Sequence, residues 1–180
     1  MDELSKYEIT FSGLKEGEHL FEFELDHKFF DNFKESEVHE GSLSARIILD
    51  KKPGFLKLDF HIEGEAEVKC DRCLEYFGIP IKYNDKVYVK FGVNSNETTD
   101  DMLVINENEH KLNIAQFLYE FILLSLPYRR VHPLNENGDS SCNIEMLNRL
   151  KELSFRDNNS EKNDPRWDNL KDLLKDNNFN

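Results

Sequence analysis

The chain has 180 residues, 38% hydrophobic and 33% charged, which is enough for one domain with a real core and a small appendage. Its 36 acidic residues outnumber 23 basic ones, and the formal net charge of −13 disfavours a grip on bare phosphate backbone unless cations are gathered locally. Basic proteins are the more natural partners of such a surface.

The start, Met1-Asp2-Glu3-Leu4, is acidic and lacks the apolar stretch of a secretion signal. The longest apolar run, Phe117 to Leu126, is interrupted by Glu120 and Ser125 and is far shorter than the roughly 20 residues of a membrane span. With an odd cysteine count of three, this predicts a cytoplasmic protein in a reducing compartment, with no membrane partner.

Short alternating runs come first: Tyr7, Ile9, Phe11, then Phe21, Phe23, Leu25, then Leu43, Ala45, Ile47, Leu49. Asp26 can cap a short helix that presents Phe29, Phe30 and Phe33 on one side. Residues 56–70 alternate almost without fault. Leu56, Leu58, Phe60, Ile62, Ala66, Val68 and Cys70 share one parity, and charged residues or His61 fill the other. Side chains change face at every strand residue, so this is a strand with one buried and one wet face. Gly64 marks a bulge or bend. A second run, Ile79, Ile81, Tyr83, Val87, Val89 and Phe91, predicts an antiparallel partner, with the cysteines near the connection.

Residues 94–111 read as a polar, acidic loop with a short strand at Met102–Ile105. Asn113 can cap a helix over 114–125 that is apolar nearly all round and therefore buried, with Gln116 and Glu120 on one face and Pro127 ending it. A turn-rich stretch runs from Tyr128 to Cys142. Asn143 then caps a helix with Ile144, Leu147, Leu150 and Leu153 inward. Residues 156–163 form a polar linker, and Asp164-Pro165 starts a last helix striped by Trp167, Leu170, Leu173 and Leu174. The predicted architecture is α+β: a mostly antiparallel sheet from the N-terminal half, packed with a buried helix and followed by two C-terminal amphipathic helices. The boundaries are a single α+β domain over 1–155, then linker and helix over 156–180.

The chemistry centres on Val68-Lys69-Cys70-Asp71-Arg72-Cys73-Leu74-Glu75. Cysteines three apart can chelate a metal, form a redox pair or mark a tight turn. Redox fits poorly, because a thioredoxin-like site places its cysteines at a helix start after a strand, and these lie between two strands. A closed zinc site needs four ligands. There is no second Cys-x-x-Cys, and the inventory offers Cys142 and, ten residues before it, His132. Cys70, Cys73, Cys142 and His132 are thus the candidate zinc set, and a metal-free turn stands beside it.

Arg72 reads either as a solvated turn charge or as a holder of phosphate or carboxylate. Arg129 and Arg130, with Lys69, Arg72 and Lys82, build either a local basic patch or an ordinary surface within the least acidic part of the chain. There, residues 51–95 carry eight basic and seven acidic residues. The remaining histidines, His19, His27, His39, His61 and His110, are scattered among polar residues. No Gly-rich phosphate loop, nucleophile elbow or His-Glu-x-x-His pattern occurs, so neither a catalytic residue nor a small-molecule substrate is predicted.

The run Cys70-Asp71-Arg72-Cys73-Leu74-Glu75, after an alternating strand ending in Val68, resembles the signature of the YceD-like family, bacterial and plastid proteins described as large ribosomal RNA subunit accumulation proteins. Leu124-Ser125-Leu126-Pro127 is similar to that family's Leu-Leu-x-Leu-Pro segment, and Val131-His132-Pro133 with Cys142 to its variable Cys/His stretch. Asp164-Pro165-Arg166-Trp167 resembles its C-terminal ending. The ordered combination is specific where Cys-x-x-Cys alone would be weak. Many members carry extra cysteines after the Leu-Pro segment, whereas this chain keeps only Cys142, which rules out an all-cysteine site. The resemblance implies a non-enzymatic role in 23S ribosomal RNA accumulation or processing during large-subunit assembly. The implied partner is a large-subunit ribosomal protein or a pre-ribosomal particle, with 23S RNA as a candidate contact; Arg72, Arg129 and Arg130, from the basic patch above, are the candidate partner-binding residues. Two rivals remain: a metal-dependent RNA-processing enzyme and a generic zinc-stapled protein-binding module.

Overall fold

The computed structural model describes residues 3–33, 36–92 and 102–154. Its strands are β1 (Glu8–Thr10), β2 (Gly17–Leu25), β3 (Glu40–Lys52), β4 (Phe55–Lys69), β5 (Tyr76–Phe91), β6 (Met102–Ile105) and β7 (Lys111–Asn113). Its helices are α1 (His27–Phe30), α2 (Ala115–Ser125) and α3 (Ile144–Leu153), with a short 3-10 turn over Glu3–Tyr7. The fold is α+β. Five strands form one sheet in the order β2-β3-β4-β5-β6, antiparallel except for the parallel β5–β6 pair, and β1 and β7 form a separate two-stranded ladder.

The period-two pattern becomes the two faces of this sheet. Leu56, Leu58, Phe60 and Ile62 of β4 are fully buried, as are Ile47 and Leu49 of β3 and Val89 of β5. The intervening positions carry the charge, in cross-strand pairs such as Glu22–Arg46 (3.1 Å) and Glu63–Lys82 (3.0 Å). Both pairs are solvent-exposed and therefore contribute little. Gly64 produces no bulge. Ala66 and Val68 stay on the buried parity of Leu56 to Ile62, and Gly64 pairs with Leu43 on one side and Ile81 on the other. Its backbone sits at φ +149°, where an added Cβ would run into the Ser42 carbonyl. The glycine is a site of close backbone approach.

The buried face is closed by aromatic side chains from α1, α2 and the N-terminal segment. Asp26 caps α1 by accepting from the Lys28 N–H, and Phe29 and Phe30 are buried. Phe29 packs edge-on against Tyr7, with centroids 4.9 Å apart, and Phe33 stacks on Tyr119 of α2 at 3.9 Å. Phe121 of α2 meets Phe60 at 5.1 Å and Tyr83 at 5.6 Å, so α2 lies on the inner face of β4 and β5. Ala115, Leu118, Phe121 and Ile122 are buried, while Gln116 and Glu120 join by a 2.7 Å hydrogen bond on the wet side. Asn113 acts one residue earlier than a formal cap: its side chain accepts from the Ala115 N–H at 2.9 Å, and Ile114 occupies the cap position.

The chain divides after Asn143. Of the part beyond, the structure describes α3, in which no residue is buried. The predicted last helix and the Asp164-Pro165-Arg166-Trp167 ending lie outside the described residues. No helix among the described residues is long and apolar enough to cross a membrane.

Candidate metal centre

The β4–β5 hairpin builds half of this site. The ladder's last strand pair is Lys69↔Tyr76, and the Cys70 N–H continues it by donating to the Glu75 carbonyl at 2.9 Å. Four residues, Asp71 to Leu74, are left to turn the chain. The Leu74 N–H closes the turn on the Cys70 carbonyl at 3.0 Å, with Leu74 at φ +65°. The turn is tight enough to aim both sulfurs inward, and the Arg72 N–H points at the Cys70 Sγ from 3.4 Å.

The segment after Pro127 builds the other half. Leu134 and Ser140 form an isolated antiparallel bridge, with the Asn135 N–H donating to the Asp139 carbonyl at 2.8 Å inside it. Carried two residues outward, that register sets His132 opposite Cys142. Two locks hold the halves together. The Asp71 N–H donates to the Arg130 carbonyl and the Arg130 N–H to Asp71 Oδ2, both at 2.7 Å. Asn143 Nδ2 donates to Glu75 Oε1 at 2.7 Å. Phe77 stacks on the His132 ring at 4.5 Å and fixes its plane.

The result is one cluster of Cys70, Cys73, His132 and Cys142, whose ligand atoms all lie within 4.8 Å of one another. The Cys70 and Cys142 sulfurs are 3.7 Å apart, and His132 Nδ1 is 3.4 Å from the Cys73 sulfur and 3.7 Å from that of Cys142. All three cysteines are buried and unpaired by disulfide, and the histidine is half-buried. A tetrahedral zinc with bonds of about 2.3 Å to sulfur and about 2.0 Å to nitrogen separates its sulfurs by about 3.8 Å and sulfur from nitrogen by about 3.5 Å. Three of the six donor separations thus match tetrahedral spacing, and the four residues, all within 4.8 Å of one another, are compatible with holding one metal ion.

The electrostatics favour a thiolate at the hairpin. Burial pushes the Cys70 thiol up, but the N–H groups of Cys73, Arg72 and His132 together with the His132 side chain outweigh it and bring the thiol down to about 6. The Cys142 thiol is raised: the Ser140 hydroxyl lowers it, but burial and the two neighbouring sulfurs prevail. Sulfurs crowded in this way repel as anions, and a shared cation relieves the repulsion.

The three arginines separate. Arg130 is held by Glu37 at 2.7 Å and lies 4.0 Å from Asp71. Among the described residues, its buried Nε has no hydrogen-bond partner. Arg72 and Arg129 are exposed on either side of the Asp71–Arg130 lock, with no hydrogen-bond or ion-pair partner for either side chain among the described residues. Lys82 is occupied by Glu63, and Lys69 lies over the Tyr76 ring at 5.6 Å. Of the bracing residues Asp71, Glu37, Ser140 and Phe77, the last three carry no mark in the sequence. Asp71 alone had a cue, as a short acceptor inside a cysteine turn.

No curated protein and no solved structure matches the chain. Residues 58–174, well over half the chain and inclusive of all four clustered side chains, match the family described as large ribosomal RNA subunit accumulation protein YceD. The chain belongs to that family.

Proposed function

We propose that the protein is a non-enzymatic assembly factor of the large ribosomal subunit that promotes accumulation and processing of 23S ribosomal RNA, with a structural zinc as its staple. The observation that carries the metal reading is the convergence of four protein donors within 4.8 Å. Cys70, Cys73 and Cys142 would bind through sulfur and His132 through Nδ1. Four protein ligands leave no coordination position for water, the hallmark of a structural rather than a catalytic zinc site. Bound there, zinc would supply a cross-link between the β4–β5 turn and the 128–142 segment. The family description supports the link to large-subunit RNA.

The charge of −13 favours a basic ribosomal protein, or a protein-rich pre-ribosomal surface, as the principal partner in the cytoplasm. Arg72 and Arg129 are the cations left available for a phosphate or carboxylate beside the metal centre, while Arg130 braces the site that presents them. Two measurements test the reading. Metal analysis of the purified protein should give one zinc per chain, lost in Cys70→Ser and in Cys142→Ser. Depletion should lower mature 23S RNA and raise its precursors. Unchanged 23S species on depletion would sink the assembly role, and a metal-free protein of undiminished stability would sink the staple.

A further inference from the structure

We propose that β2 is the docking edge for an extended basic segment of the partner, which adds to the five-stranded sheet as a sixth strand. This rests on the reading above that the partner is basic. β2 is the terminal strand, paired on one side to β3 through nine residues, from Gly17↔Lys51 to Leu25↔Leu43. Among the described residues, the only further partner of its backbone is the Tyr7 hydroxyl, which donates to the Glu24 carbonyl at 3.3 Å. From Gly17 to Phe23 the outward N–H and C=O groups form a ready template for another strand.

Among the described residues, the opposite side of the sheet is partly covered and interrupted. β6 covers β5 only from Tyr88 to Phe91. Beyond it, Pro80 lacks the N–H that a ladder needs.

The side chains of β2 state what the incoming strand must look like. Glu18, Glu22 and Glu24 share the wet face and are exposed, Glu16 and Asp26 flank them, and no Lys or Arg occurs from Glu16 to His27. On the other parity Phe21 and Phe23 are only half-buried and leave ring surface at the edge. A strand alternating basic and apolar residues would set cations against the glutamates and cover the two rings, since cross-strand neighbours share a face. Glu22 already meets Arg46, but both side chains are more than 60% exposed, so an incoming cation can share that carboxylate at little cost. A second copy of this chain fits badly, because β2 against β2 opposes glutamate rows. RNA fits badly because its phosphates carry the same sign.

The test uses the full-length protein and a fluorescent nine-residue peptide, the length of β2, alternating lysine and valine. Anisotropy should show binding, and amide exchange should slow in β2. A peptide of the same composition in block order, and an alternating peptide N-methylated at every second amide, should each bind about tenfold more weakly or worse. The double variant Glu18→Lys/Glu24→Lys should weaken the alternating peptide by about tenfold. Equal binding of all three peptides would reduce the effect to unspecific charge attraction and overturn the proposal. So would charge reversals without effect, or self-association of the free protein through β2. A failure here leaves the 23S depletion result standing, and an unchanged 23S profile would leave peptide binding standing, so the two readings fail separately.

Discussion

Asp71 and Arg130, 59 residues apart in sequence, hold each other by two reciprocal hydrogen bonds of 2.7 Å: backbone to backbone in one direction, backbone to carboxylate in the other. Neither bond involves a ligand atom of the cysteine cluster. The Cys70–Cys73 turn and the His132–Cys142 segment are therefore aligned by the protein itself, and a metal entering between them meets donors already near tetrahedral spacing.

The first prediction concerns that alignment. Asp71→Ala removes the acceptor for the Arg130 N–H and leaves the Arg130 guanidinium with Glu37 alone. Zinc affinity, measured by competition with a chromogenic chelator, should fall about tenfold, the usual scale for a group that orients ligands without touching the metal. Asp71→Asn keeps an oxygen acceptor and should retain most of the affinity. Equal loss in both variants would show that the carboxylate charge acts rather than the hydrogen bond.

Metal removal should loosen one end of the molecule and spare the sheet. The core around Ile47, Leu49, Leu58, Phe60 and Ile62 is fully buried without help from the cluster. Chelator treatment should therefore preserve the β-type far-ultraviolet dichroism while amide exchange rises across 128–142. Zinc at a thousandfold excess over its dissociation constant stabilises the native state by about 4 kcal/mol, so the melting temperature should drop clearly on chelation and return with zinc. The same melting curve with and without chelator would contradict this.

The sheet was legible because strand parity is a local signal: Leu56 to Val68 announce a buried face by alternation alone, and the burial follows residue by residue. The Asp26 cap and the all-round apolar α2 were legible for the same reason. What decides the site is not local. Cys70 meets Cys142 across 72 residues, through the Leu134↔Ser140 register and the Asp71–Arg130 lock, and no spacing in the chain encodes either. The inventory could name Cys142 and His132 as ligands but could not bring them to the hairpin. Arg130 is the instructive case: its type and position suit a surface patch, yet Glu37, 93 residues away, engages its guanidinium.

Gly64 gives a prediction that sequence alone reads differently. A bulge would tolerate alanine with modest loss. The observed close approach would not, because the new Cβ would enter the Ser42 carbonyl and lie 2.6 Å from Leu43 Cα, both backbone atoms that cannot swing away. Gly64→Ala should cost about 2 kcal/mol or more in urea unfolding. Gly13→Ala, with nothing within 4 Å of the added carbon, should stay within about 0.5 kcal/mol of the parent.

Leu74 predicts a change in the opposite direction. It is the only non-glycine at positive φ among the described residues, at +65°, and its side chain is 57% exposed. Left-handed backbone costs an L-residue about 1–2 kcal/mol, whereas glycine adopts it freely. Glycine in turn loses about 0.5–1 kcal/mol through its greater freedom when unfolded. The exposed leucine has little burial to forfeit, so Leu74→Gly should stabilise the zinc-loaded protein by about 0.5 kcal/mol. Leu74→Val, whose branched Cβ suits this region least, should destabilise it by about 1 kcal/mol. Urea titrations of the three proteins at fixed zinc decide the matter, and a valine variant as stable as the glycine variant would mean that the turn relaxes out of the left-handed conformation.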